Sequence, residues 1–134
     1  MSASSAASGG PLEQLATSKY VLLTTFRRDG RAVPTPVWVM RDGDHLAVWS
    51  AAEAGKVKRI RNSGRVTVGP CDWRGTPLGE AVPGVADLPG PEATRHYLDL
   101  MKRKYGLIAR VTLLGSRLRG RDHHTVGIRI RLTD

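Results

Sequence analysis

The chain has 134 residues, with 21 Lys and Arg against 12 Asp and Glu, a formal net charge of +9 and one cysteine. This length supports one domain with a modest core, and the lone Cys71 excludes an intramolecular disulfide and fits a reducing, cytoplasmic setting. No run approaches the ~20 apolar residues of a membrane helix, while the positive charge calls for an anionic partner: nucleic acid, a membrane surface and a phosphorylated cofactor all qualify.

Residues 1–10 (MSASSAASGG) are too poor in apolar side chains to offset the entropy of ordering them, so a disordered tail is expected, with 11–134 as a single domain. The tail lacks the basic start and apolar run of a signal peptide. Pro11 to Thr17 (PLEQLAT) predicts a short helix with Pro at an early position. Lys19 to Phe26 (KYVLLTTF) is rich in β-branched and aromatic residues, and the Asp29-Gly30 pair after it marks a hairpin. The return strand is Arg31 to Arg41 (RAVPTPVWVMR), where Pro34 and Pro36 cannot donate to a ladder and so place it at an edge or a bulge. A turn at Asp42-Gly43-Asp44 leads to a third strand, His45 to Ser50, which completes an antiparallel meander.

A basic helix is expected from about Glu53, then a fourth strand over Arg65 to Cys71 and a loop over Asp72 to Gly79. Glu80 to Leu88 resumes as a strand with a bulge or bend at Pro83-Gly84. A helix follows from Glu92 through about Lys104, with Tyr97, Leu98, Met101 and Tyr105 on one apolar stripe and Gly106 as its stop. Tyr105 to Gly120 fits either state and is assigned to helix, and His123 to Thr133 alternates Val126, Ile128, Ile130 and Leu132 with polar or small residues, the signature of a half-buried strand. Six strands with short helices at the breaks predict a mainly β, α+β fold: a closed or nearly closed antiparallel barrel, since closure removes exposed edges.

Chemistry concentrates between Ser50 and Arg65 (SAAEAGKVKRIRNSGR), where Lys56, Lys58, Arg59, Arg61 and Arg65 fall within ten residues with no acid after Glu53. Small residues before the helix let a backbone come close, free amides at its start favour an anion, and Lys56 and Arg59 are neighbours at i, i+3. Cys71 has no His or acid at a readable spacing to mark it as a nucleophile. Adjacent His123 and His124 point to opposite faces of a strand, so no metal site is expected. No dinucleotide fingerprint is present, and the stacking platforms or recognition-helix pattern of a nucleic-acid module are missing.

The run from Tyr20 to Gly75, with TTFRRDGRAVPTPVWV, DGDHLAVWS, GKVKRIRNSGRV and PCDWRG, resembles the pyridoxamine-phosphate-oxidase-like split β-barrel proteins. Within them it is most similar to the small actinobacterial branch that uses the deazaflavin coenzyme F420. The resemblance covers roughly residues 12–134. It implies a homodimer with cofactor sites in the groove between two barrels and hydride transfer from reduced F420 to a small organic acceptor. Carried over, Lys56 and Arg59 would bind the cofactor phosphate, with Lys58 a weaker contributor and Ser50 and Ala51 lining the turn beneath. Pro34, Thr35, Pro36, Val37 and Trp38 match the segment beside the tricyclic ring, and Arg74 would reach an anionic part of the cofactor. An FMN enzyme of the same fold and a non-catalytic cofactor-binding protein are the alternatives.

Overall fold

The computed structural model describes residues 10–118 and 125–133. Most of the expected tail and the His123-His124 pair lie outside them. Helix Pro11–Thr17 (α1) precedes strands Tyr20–Phe26 (β1), Ala32–Val37 (β2), Met40–Asp42 (β3) and His45–Ala51 (β4). Helix Gly55–Asn62 (α2) leads to Arg65–Cys71 (β5) and Val82–Asp87 (β6), and helix Pro91–Leu118 (α3) precedes Thr125–Leu132 (β7). All seven strands form one antiparallel sheet in the order β2-β1-β5-β6-β7-β4-β3.

The end strands of that sheet, β2 and β3, are consecutive in the chain and separated only by Trp38 and Val39. Three Cα steps reach about 11 Å at most. The sheet therefore curls until its ends meet, and the interior fills with Val21, Leu23, Leu46, Val48, Val66, Val68, Ile128 and Ile130. Helix α2 adds Val57 and Ile60 to this core.

Seven strands appear where the sequence predicts six, because the return strand read as Arg31 to Arg41 is divided at Trp38-Val39. The cause is chemical. The Val39 N–H donates to Tyr105 Oη at 3.0 Å, and its carbonyl accepts from Lys104 Nζ at 2.6 Å. A peptide whose donor and acceptor are both taken by side chains has nothing left for a ladder. The first half of the segment pairs with β1 and the second with β4, so the expected meander becomes two hairpins hinged at one corner.

The bulge expected at Pro83-Gly84 is also overturned. The β5–β6 register runs unbroken through Thr67↔Pro83 and Val66↔Gly84, and β7 continues it on the far side with Gly84↔Leu132. Glycine is needed there for a different reason: a Cβ would lie 3.0 Å from the Arg131 carbonyl oxygen and 3.3 Å from Ile130 Cγ2.

Helix α3 agrees with its sequence pattern. Gly106 (φ 56°, ψ −126°) breaks it, and the backbone is helical again through Leu118. Tyr97, Met101 and Tyr105 from the first half pack with Met40 and Ala47 as a second core on the outer side of β3 and β4. Lys104 leaves this stripe to donate to three carbonyls, those of Ala16 (2.8 Å), Ser18 (2.7 Å) and Val39 (2.6 Å). Tyr105 Oη reaches the carbonyl of Lys19 at 2.6 Å. One dipeptide thus joins the end of α1, the start of β1 and the β2–β3 corner.

Replacing Lys104 with Met keeps the aliphatic stem and strips the Ala16 and Ser18 carbonyls of this donor, while the Val39 carbonyl is left with Tyr105 Oη at 3.2 Å. The expected loss is about 1–3 kcal/mol of stability, the range for a buried group left unpaired. It is read as a lower urea midpoint at constant m-value, and an unchanged midpoint would show that water replaces the ammonium.

Candidate functional site

The turn from β4 into α2 is tight. Ala54 N–H donates to Ala51 carbonyl oxygen at 3.1 Å, and buried Ser50 donates its hydroxyl to the same oxygen, also at 3.1 Å. The turn fixes the start of α2, where Val57 and Ile60 insert into the core. Anchoring those two at i, i+3 leaves Lys56 and Arg59, themselves i, i+3, on a common flank, from which Arg59 reaches the β1–β2 hairpin.

Arg59 makes the decisive contact. Its Nε donates to Thr25 Oγ1 at 2.6 Å, and Thr25 is almost wholly buried on β1. A Cβ placed on Gly55 would meet Arg59 Nη1 at 2.8 Å, so the guanidinium lies over the first residue of its own helix. The first turn of α2 contains no acid, and neither Lys56, Lys58 nor Arg59 has an ion-pair partner among the described residues. Lys56 in the first turn opposes the macrodipole, and Arg59, though it belongs to the last turn, carries its guanidinium back over Gly55. Burial pushes the Lys56 ammonium below its ordinary value of 10.5, and neighbouring Arg59 pushes it further in the same direction. The site concentrates positive charge where the fold alone disfavours it.

A cleft of about 340 Å³ opens beside this cluster, lined by Phe26, Arg27, Arg28, Lys58, Arg59 and Asn62. Arg65 covers the Phe26 ring, with its guanidinium carbon 4.0 Å from the centroid. Arg27 and Arg28 read in the sequence only as turn flanks and Thr25 only as a strand residue. Their part in the site depends on α2 docking against β1, which no local pattern encodes.

The β1–β2 register relates this cluster to the proline-bearing strand. Thr25 opposes Val33 and Leu23 opposes Thr35, so Thr35 lies on the sheet face of Thr25 and Arg59, one diagonal step away. Pro34 and Pro36 oppose Thr24 and Leu22 on the other face. Val37 packs against the main core. Trp38 stacks on Tyr105, with centroids 4.3 Å apart and planes 9° from parallel, so one face of its indole is taken by packing.

Of the residues singled out in the sequence, the structure gathers Lys56, Lys58, Arg59, Ser50, Ala51 and, through Thr25, Thr35. Arg74 is not among them. It lies on an exposed turn held by Asp72 Oδ1, which accepts from the Arg74 and Thr76 amides at 2.9 Å each, and its guanidinium sits 4.8 Å from the Trp73 ring centroid. Gly75 of that turn would bring a Cβ within 3.6 Å of Pro36, so the turn packs on the face opposite Arg59. Cys71 is buried, and desolvation, then Asp72, raise its thiol pKa, the reverse of what a nucleophile requires.

No family model matches the chain, and no curated protein matches it. Solved structures do. An F420 reductase is 23% identical, with 91% of this chain and 93% of that one covered at a TM-score of 0.61. A candidate pyridoxamine 5'-phosphate oxidase from Listeria innocua is 20% identical, covering 92% and 88% at a TM-score of 0.59. A candidate 5-nitroimidazole antibiotic resistance protein from Bacteroides thetaiotaomicron is 14% identical, covering 94% and 80% at a TM-score of 0.66. The fold is shared with these solved structures: a curled, mainly β antiparallel sheet of split-barrel type. In this split barrel the division falls at Trp38-Val39, and the cationic turn of α2 stands at one end of the interior.

The Lys56 shift has a definite sign. The folded protein releases the proton before the unfolded chain does, so this group's contribution to stability rises with pH from the lowered value up to 10.5. At neutral pH its charge is a burden. Lys56→Gln is therefore expected to raise the thermal midpoint of the ligand-free protein while weakening anion binding, and a lowered midpoint would show that the charge is already compensated.

Proposed function

We propose that the chain binds coenzyme F420 and uses it as an oxidoreductase on a small organic acceptor, as in the actinobacterial branch it resembles. The observation that carries this reading is the Arg59–Thr25 bond, which ties an uncompensated cationic helix start to the hairpin bearing Thr35. The residues suit the group. Lys56 and Arg59, with Lys58 beside them, would hold its phosphate over Ser50 and Ala51, where an anion relieves both the mutual repulsion and the opposition to the helix dipole.

Thr35 and the backbone of Pro34, Pro36 and Val37 would lie along the ring, and Trp38, fixed by Tyr105, would set the end of that platform. When bound, the reduced deazaflavin supplies a hydride. The chain supplies position: a strand anchored to the core at Val37 and a phosphate grip fixed through Thr25 leave the ligand little freedom. No side chain has to serve as a nucleophile, in keeping with the raised pKa of Cys71.

The alternative cofactor, FMN, offers the same grip a phosphate. F420 is favoured because Arg27, Arg28 and Lys58 extend the positive charge beyond what one phosphate needs, which suits a carboxylate-rich tail. The reading includes a cytoplasmic homodimer whose groove encloses the ring, with Arg74 contributing across the seam. A carrier without turnover would use the same grip. A nucleic-acid binder relying on charge alone would differ in two ways, with affinity that falls steeply with salt and is indifferent to Thr35.

Titrating the protein with F420 and with FMN, followed by fluorescence, tests the assignment. F420 is expected to bind more tightly, and Lys56→Ala and Arg59→Ala are each expected to weaken it by about 1–3 kcal/mol, the scale of a hydrogen bond to a charged group. Thr25→Val should weaken it less, by loosening Arg59. FMN binding without F420 binding would move the protein to the flavin branch, and equal affinity in wild type and both cation variants would remove the phosphate site.

A further inference from the structure

Helix α2 has a second flank, away from Thr25. There Arg61 shares a cleft of about 500 Å³ with Leu88, Thr94, Arg95, Val126 and Gly127, larger than the 340 Å³ beside Arg59. Arg61 comes from α2, Arg95 from the first half of α3, and the floor from the start of β7, so three elements build the cleft.

The floor is rigid and largely apolar. Leu88 and Val126 are half-buried against the main core. Thr94 Oγ1 accepts from the Gly127 amide at 2.7 Å and donates to the Gly90 carbonyl at 2.9 Å, fixing α3 to β7 across the cleft. A Cβ on residue 127 would lie 2.6 Å from Tyr97 Cδ2 and 3.2 Å from Thr94 Cα, so only glycine allows this docking. Among the described residues, Arg61 and Arg95 have no ion-pair partner and no acid lines the cleft. Concave apolar walls with a few convergent polar groups are what small-ligand sites share, and two guanidiniums from different helices select for an anion that can accept paired hydrogen bonds.

We propose that this cleft is a binding site for a small organic anion, with its carboxylate or phosphate between Arg61 and Arg95 and its apolar body on Leu88 and Val126. It is separate from the cofactor grip. The two sites lie on opposite flanks of α2, with Lys58 and Arg59 on one and Arg61 on the other.

The test is an amide NMR titration of the full chain with benzoate, benzamide and inorganic phosphate as probes. Benzoate is expected to shift the Thr94, Val126 and Gly127 amides saturably, and benzamide, of the same shape without the charge, at least tenfold more weakly. Phosphate acting as well as benzoate would overturn the role of the apolar floor. Arg61→Gln with Arg95→Gln, both exposed positions, is expected to abolish the benzoate shifts at Gly127 while leaving anion-induced shifts at Gly55 and Lys56 in place. Shifts at Gly127 that persist in that variant, or none in the wild type, would refute the site. Loss of the Gly55 and Lys56 shifts alone would count against the cofactor grip instead.

Discussion

The structure depends on what happens to the backbone N–H and C=O of one residue, Val39. A strand carrying the sequence of residues 31–41 would, if left to pair along its whole length, extend a flat sheet. Lys104 and Tyr105 take the Val39 carbonyl and N–H out of the ladder, and the chain turns from one end of the sheet to the other. Because Lys104 also holds Ala16 and Ser18, and Tyr105 also holds Lys19, the β2–β3 corner and the docking of α1 and α3 rest on the same two side chains. The ring stacking between Trp38 and Tyr105 covers this polar knot on one side, and so strengthens hydrogen bonds that water would weaken.

That closure positions the candidate site. On the curled sheet α2 inserts Val57 and Ile60 into the core, and Arg59 reaches the hairpin as a result. The core interactions hold the cations in an electrostatically unfavourable place. Such opposition between local preference and global fold is typical of functional positions, where stability is given up for readiness to bind.

Much of this was legible in the sequence, for identifiable reasons. Strand β7 is visible from Val126, Ile128, Ile130 and Leu132 because period-two alternation is a local property, and Gly106 marks a helix break because only a glycine adopts its left-handed φ easily. The basic character of α2 is likewise explicit. The division of the strand at Val39 was not, since its cause lies 65 residues away in Lys104 and 66 away in Tyr105. Nor was the true role of Gly84, where the sequence suggests an irregular backbone and the structure has a regular strand pressed against its neighbour. Thr25 and the Arg27-Arg28 pair escaped for the same reason as Val39: each acquires its function from a partner on another element.

The prolines of β2 have one more effect, on how the molecule meets its own copies. Spaced two apart, Pro34 and Pro36 present their nitrogens on the same side of the strand and leave that margin short of amide donors, while β3 at the other margin is only three residues long. Neither offers a template on which a foreign chain could add itself and propagate into fibrils.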